Sequence, residues 1–258
     1  MKISIINFLS FAFLLIPIAL LTGSFLPDLL VVIISTTFLS YSIYNRDFRY
    51  FKNIFFLIFV IFNIFLILSS LLSEYQLFSL KSSLVYFRFG IFSLAVWFIL
   101  DKNDKINEYF LYSLIISFLV ALMYGYFHYF SHLMHENNTR LSLLFSDRYL
   151  LGSYLVRFLP LLLALTFFKN IISKKLLLIL GMFYIAIDCL VFISGERSAF
   201  YLLFLLTIFL LIFLNKYTVL RLTTIIFSII IIIVIAINNP EIKERNIDTT
   251  LNQLGLNN

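Results

Sequence analysis

The chain has 258 residues, of which 62% are hydrophobic and 12% charged, and its formal net charge is +6. With a mean hydropathy of +1.03 it carries more apolar surface than one or two soluble domains of this length can hide. The positive charge does not point to nucleic acid either, because the basic residues fall between apolar runs and not on one polar face.

Apolar runs recur along the whole chain, each long enough as a helix to cross the roughly 30 Å of bilayer hydrocarbon. They predict an all-α, polytopic bundle of about nine spans, near 4–22, 27–44, 54–72, 84–100, 109–130, 150–168, 176–194, 198–214 and 222–237. Residues 1–237 thus read as one transmembrane helical domain, and 238–258 as the truncated start of a large periplasmic loop. A barrel is excluded, since the run from Ile225 to Ile237 shows no alternation of apolar and polar residues. Lys2 and the apolar run behind it have the outline of a signal peptide. A second span follows at once, however, with no small-x-small cleavage site, so the first helix is expected to be retained. The single Cys189 lies inside a span and excludes a disulfide framework.

A cytoplasmic N-terminus makes every inside segment basic, with Lys2, Arg46, Arg49, Lys52, Lys102, Lys105, Lys169, Lys174, Lys175, Lys216 and Arg221. That satisfies the positive-inside rule. The remaining basic residues, Lys81, Arg88, Arg140, Arg148, Arg157, Arg197, Lys243 and Arg245, fall on the outer half and are mostly arginine. Arginine is the planar fork that grips phosphate or carboxylate with two parallel bonds. Its retention outside, against the topological rule, asks for a reason.

Arg88 is expected about one turn inside span four and Arg157 about two turns inside span six. Both either snorkel to the headgroups or line a cationic pocket that suits an anionic headgroup, especially a diphosphate. Ser194-Gly195-Glu196-Arg197-Ser198 interrupts two apolar runs. It reads as a turn in which Gly195 permits the bend and Ser198 caps the next helix, with Glu196 and Arg197 as candidates for an ion pair or a substrate contact. In the outer loop Arg140 and Arg148 precede Gly152-Ser153-Tyr154-Leu155-Val156-Arg157, and Asp147 beside Arg148 neutralises it on the simplest reading. Asn137-Asn138-Thr139 matches a glycosylation acceptor, a pattern that carries little weight by itself. His128, His132 and His135 share one helical face, but seven residues rise about 10.5 Å, too far for three ligands on one ion, and no metal is expected. Asp188, deep in span seven, is either a proton carrier, a partner for a buried base or a purely structural carboxyl. No P-loop, dinucleotide fingerprint or His-Glu-x-x-His is present, so no soluble cofactor is implied.

Three of these motifs, Tyr86-Phe87-Arg88-Phe89, Gly152-Ser153-Tyr154-Leu155-Val156-Arg157 and Ser194-Gly195-Glu196-Arg197-Ser198-Ala199-Phe200, in this order and on the outer side, resemble the O-antigen ligase and O-antigen polymerase-like family. The similarity runs from about residue 50 to the C-terminus. It implies a transferase of the bacterial inner membrane that moves a glycan from an undecaprenyl diphosphate carrier to an acceptor hydroxyl at the outer face. The implied fold has about twelve helices. Partners implied are a lipid-linked oligosaccharide donor, a glycan or lipid acceptor and membrane lipids. Arg88, Arg157 and Arg197 would hold the diphosphate, Arg140 and Arg148 would assist, and Glu196 would support them, stabilising charge that grows in the transition state. The family's functional histidine is expected in the large periplasmic loop, which this chain only enters, so the chain reads as the front part of such an enzyme without an assigned catalytic residue. The competing readings are a transporter or flippase for a lipid or anionic solute, with Asp188 on its route, and a noncatalytic membrane assembly subunit.

Overall fold

The computed structural model describes residues 2–132, 141, 142, 144, 150–168, 174–213, 218–239, 243, 244 and 249. Among these residues the regular elements are all helical: α1 (Lys2–Ala19), α2 (Phe25–Tyr44), α3 (Ile54–Leu71), α4 (Gln76–Lys102), α5 (Ile106–His132), α6 (Leu151–Phe168), α7 (Lys174–Ile193), α8 (Arg197–Phe213) and α9 (Thr218–Asn238). Each expected span therefore has its helix. Six helical segments are long and apolar enough to cross a membrane: Ser4–Thr22, Phe25–Tyr44, Ile54–Leu71, Gln76–Lys102, Ile106–Ser131 and Thr218–Asn238. The apolar parts of α6, α7 and α8 are shorter. Large apolar side chains such as Phe55, Phe65, Phe204, Ile226 and Ile237 are exposed on these helices, as a lipid-facing surface requires and a water-facing one penalises.

Two boundaries differ from expectation, each for a local reason. α4 starts at Gln76, where the first span residue was expected near 84. The polar segment read as loop is helical, and Ser82 and Ser83 satisfy their hydroxyls within it by donating back to the carbonyls of Phe78 and Ser79, one turn earlier. Arg88 consequently lies more than three turns from the start of the helix. α9 starts at Thr218, so Arg221 belongs to the helix and not to a basic loop.

The chain divides into two compact units, Met1–Leu20 with Ser24–Phe110, and Leu21–Gly23 with Leu111–Asn258. In the first, α4 packs against α2 and α3, and α1 packs against α2. Its core joins Leu9, Ile34, Phe38, Leu94, Phe98 and Ile99, and Phe38 contacts the rings of Tyr50, Phe51 and Phe98. The linker after α2 is stiffened locally. Arg46 takes a left-handed φ of 52°, and Arg49 grips Asp47 with Nε and Nη2 at 2.8 and 2.7 Å. That hydrogen-bonded guanidinium holds the Asp47 carboxyl down to about 2. Asn53 caps α3 by accepting from the Phe56 amide at 3.0 Å.

In the second unit α7 is central, packed against α6, α8 and α9, while α8 also contacts α6 and α9. Leu155, Ile187, Leu190 and Val191 are fully buried, and the Tyr154 hydroxyl donates to Ser117 Oγ at 2.8 Å. The Tyr126 hydroxyl donates to the Ala186 carbonyl at 2.8 Å, tying α5 to α7.

The close approach of α3 and α4 depends on Gly90, where any Cβ would run into the Phe59 ring. Gly90→Val should lower stability by about 1–3 kcal/mol through overpacking, and Phe59→Leu in the same chain should restore much of it. Reversible unfolding in mixed micelles checks both.

Candidate functional site

Among the described residues, the second unit holds two polar constellations in otherwise apolar surroundings. The first joins the start of α6 to the turn between α7 and α8. α7 ends at Ile193, and Gly195 follows with φ 67°, a left-handed conformation that glycine adopts without a Cβ clash. The chain reverses there and places Glu196 against the N-terminus of α6. Glu196 Oε1 accepts from the Gly152 amide at 2.7 Å, and Oε2 accepts from the Ser153 amide at 3.0 Å and the Ser153 hydroxyl at 2.6 Å. A carboxylate thus satisfies amides that a helix start leaves without internal acceptors, at the positive end of the α6 dipole. A side chain at position 152 would come within 2.5 Å of Ser194 Oγ and 3.2 Å of Glu196 Oε1, so glycine is what lets the two motifs touch.

Two arginines flank this junction. Arg157, in the second turn of α6, is exposed and near enough for its charge to act on Glu196. Arg197 is the first residue of α8 and is also exposed. The motifs of Gly152 and Glu196, separate in sequence, form one site. Ser198, expected as the cap of α8, lies inside its first turn, because the helix begins one residue earlier at Arg197. Glu196 was expected to pair with a cation or with substrate. Its bonds go instead to the α6 N-terminus, with Arg157 as the charged neighbour.

Burial raises the Glu196 carboxyl above its ordinary value, with the Ser153 hydroxyl, the two amides and the Arg157 charge pulling the other way. Since the folded value exceeds the unfolded one, the folded chain holds the proton over the interval between them, and stability falls as pH rises through it. Glu196→Gln should flatten this part of the pH profile of stability. Unfolding midpoints recorded from pH 4 to pH 8 for both chains measure the difference.

The second constellation is buried. Arg221 of α9 donates Nη1 to Asp188 Oδ2 at 2.8 Å and Nη2 to Asp188 Oδ1 at 3.1 Å. Nη2 also donates to Thr207 Oγ1 of α8 at 2.6 Å, and Ser228 Oγ donates to Asp188 Oδ2 at 2.8 Å. The guanidinium stands 4.7 Å from the Tyr184 ring centroid. Asp188 and Arg221 are only 4% and 5% exposed, so neither is in reach of solvent. Of the roles open to Asp188, partner of a buried base is the one found. Its partner was missed because the positive-inside rule places Arg221 in a loop; an intramembrane carboxylate is itself the signal that a basic residue nearby in space is buried.

Removing one member of such a pair leaves an uncompensated buried charge, at a cost of about 3–5 kcal/mol. Asp188→Asn and Arg221→Gln should each destabilise the chain severely, whereas Asp188→Leu with Arg221→Met should come within about 2 kcal/mol of the parent. Unfolding measurements on the four chains decide this.

The other expected residues are distributed as follows. In the first unit, Arg88 Nη2 lies 2.9 Å from Asp28 Oδ2 of α2, and the guanidinium sits 5.0 Å from the Phe89 ring centroid. It is paired within its own helical unit. Arg140, Arg148 and His135 lie outside the described residues, as do Asp147 and Asn137-Asn138-Thr139. His128 is on α5 with its ring against Tyr124. Among the described residues no group of three His, Cys, Asp or Glu side chains is arranged to hold a metal.

Comparison of the chain with family models, with curated proteins and with solved structures returns no match.

Proposed function

We propose that this chain is a multi-pass protein of the bacterial inner membrane, N-terminus in the cytoplasm, that binds a lipid-linked diphosphate glycan donor for transfer to an acceptor hydroxyl at the outer face. The observation that supports this reading is the junction at Glu196. It joins two of the three motifs that carried the resemblance to O-antigen ligases and polymerases, with Arg157 and Arg197 on those same two motifs. A diphosphate leaving group gathers negative charge as the glycosyl bond breaks, and cations held close to it stabilise that charge more than the ground state. Glu196 has a positioning role: its bonds to Gly152 and Ser153 fix the start of α6, and through it the register of Arg157. On this reading all nine helices among the described residues cross or enter the bilayer, the shorter α6, α7 and α8 included.

The transporter or flippase alternative placed Asp188 and the outer arginines along a route. Asp188 is engaged by Arg221 and Ser228, which weakens its part in that reading.

Arg157→Gln and Arg197→Gln should each lower donor use by about 10²-fold, the scale of losing one group that stabilises transition-state charge. Lysine at either position should restore part of it, since charge returns without the planar fork. Glycan transfer in cells that depend on the protein, normalised to the amount of folded chain, is the measurement. Undiminished transfer by both glutamine variants overturns the proposal.

A further inference from the structure

A groove of about 570 Å³ runs along α7 between α5 and α9, with Met182, Ala186 and Cys189 on its floor. It continues to Ile193 at one end of α7, a length of about 16 Å at 1.5 Å per residue. That is about half of the roughly 30 Å hydrocarbon layer, the depth that one leaflet's chains reach. The volume of the groove lies in the range of about 300–1,000 Å³ that small-molecule sites occupy.

One end is polar. Asn238 and Asn239 close it with Tyr129. The Tyr129 hydroxyl accepts from Asn239 Nδ2 at 2.8 Å, which leaves its own hydrogen for a second acceptor, and Asn238 is exposed. The polar end therefore offers neutral donors. No Lys or Arg is among the described residues that line the groove; the nearest along the chain, Lys243, lies one turn past Asn239, to whose carbonyl its amide donates at 3.2 Å. Ester carbonyls, which accept hydrogen bonds and carry no charge, suit the neutral donors.

We propose that this groove is a binding site for one acyl chain of a glycerophospholipid, with the ester carbonyls at the Asn238 and Tyr129 end. The inference needs the helices to lie in a bilayer but does not depend on the transferase reading. A bound chain would fill the gap between α5 and α9 beside the α7 terminus that carries the Glu196 turn, making the lipid part of that unit's packing.

The test is photolabelling of the full chain in phosphatidylethanolamine vesicles containing a trace of the same lipid with a mid-chain diazirine. Labels should concentrate on Ala186, Cys189 and Ile235, and fall at least fivefold in Ala186→Phe, while labelling of the exposed Ile212 on α8 stays unchanged. Even labelling of Ile212 and the groove, or no effect of Ala186→Phe, overturns the proposal. If that variant does not fold, native mass spectrometry of the parent chain decides: one retained phospholipid per chain supports the site. No retained lipid, a polyprenyl phosphate retained in its place, or a second copy crosslinked into the groove overturns it.

Discussion

A charge placed inside an apolar helical body must be met by another charge or by hydrogen bonds, and the second unit is organised by how it meets this demand. The Asp188 to Arg221 pair, with Thr207 and Ser228, ties α7, α8 and α9 together through a carboxylate and a guanidinium that are each almost wholly buried. The forked geometry matters because desolvation costs several kcal/mol per ion, and only paired bonds with further hydroxyl contacts offset it. Apolar packing alone leaves rotation of one smooth helix against another weakly specified. A bidentate pair admits one register, which is the specificity role best attested for buried polar groups.

That register bears on the end of the unit where function is proposed. α7 carries Asp188 in its last two turns and runs directly into the Gly195 turn, and α8 leaves that turn to present Thr207 to Arg221. The position of Glu196 against α6 is therefore held from two sides: by its own bonds to Gly152 and Ser153, and by the ion pair that fixes the helices on either side of the turn. The consequence is a carboxylate whose surroundings are set before any ligand arrives, with Arg157 close by and exposed.

The helices were legible because apolar runs of this length admit little else, and the motifs at Gly152 and Glu196 were legible as short polar interruptions. Three features were not. The start of α4 was hidden by Ser79, Lys81, Ser82 and Ser83, polar residues that look like loop, although the hydroxyls of Ser82 and Ser83 bond back within the helix. Arg221 was hidden by a rule that sorts basic residues by topology, when its partner lies 33 residues earlier in the chain. The ion pair of Arg88 with Asp28, just after Pro27 at the start of α2 and 2.9 Å away, was not foreseen in the reading of Arg88 as a cation for headgroup or substrate. The last two concern long-range polar pairings. Hydrophobic periodicity carries no information about which charge answers which, because that is decided by helix rotation and depth.

The most direct measurement is equilibrium binding of undecaprenyl diphosphate to the purified chain in nanodiscs, with Arg157→Gln alongside at matched thermal stability. The account predicts saturable binding that weakens with salt, exceeds binding of the monophosphate, and drops at least tenfold in the variant. Equal binding by both chains, or no preference for the diphosphate, would contradict it.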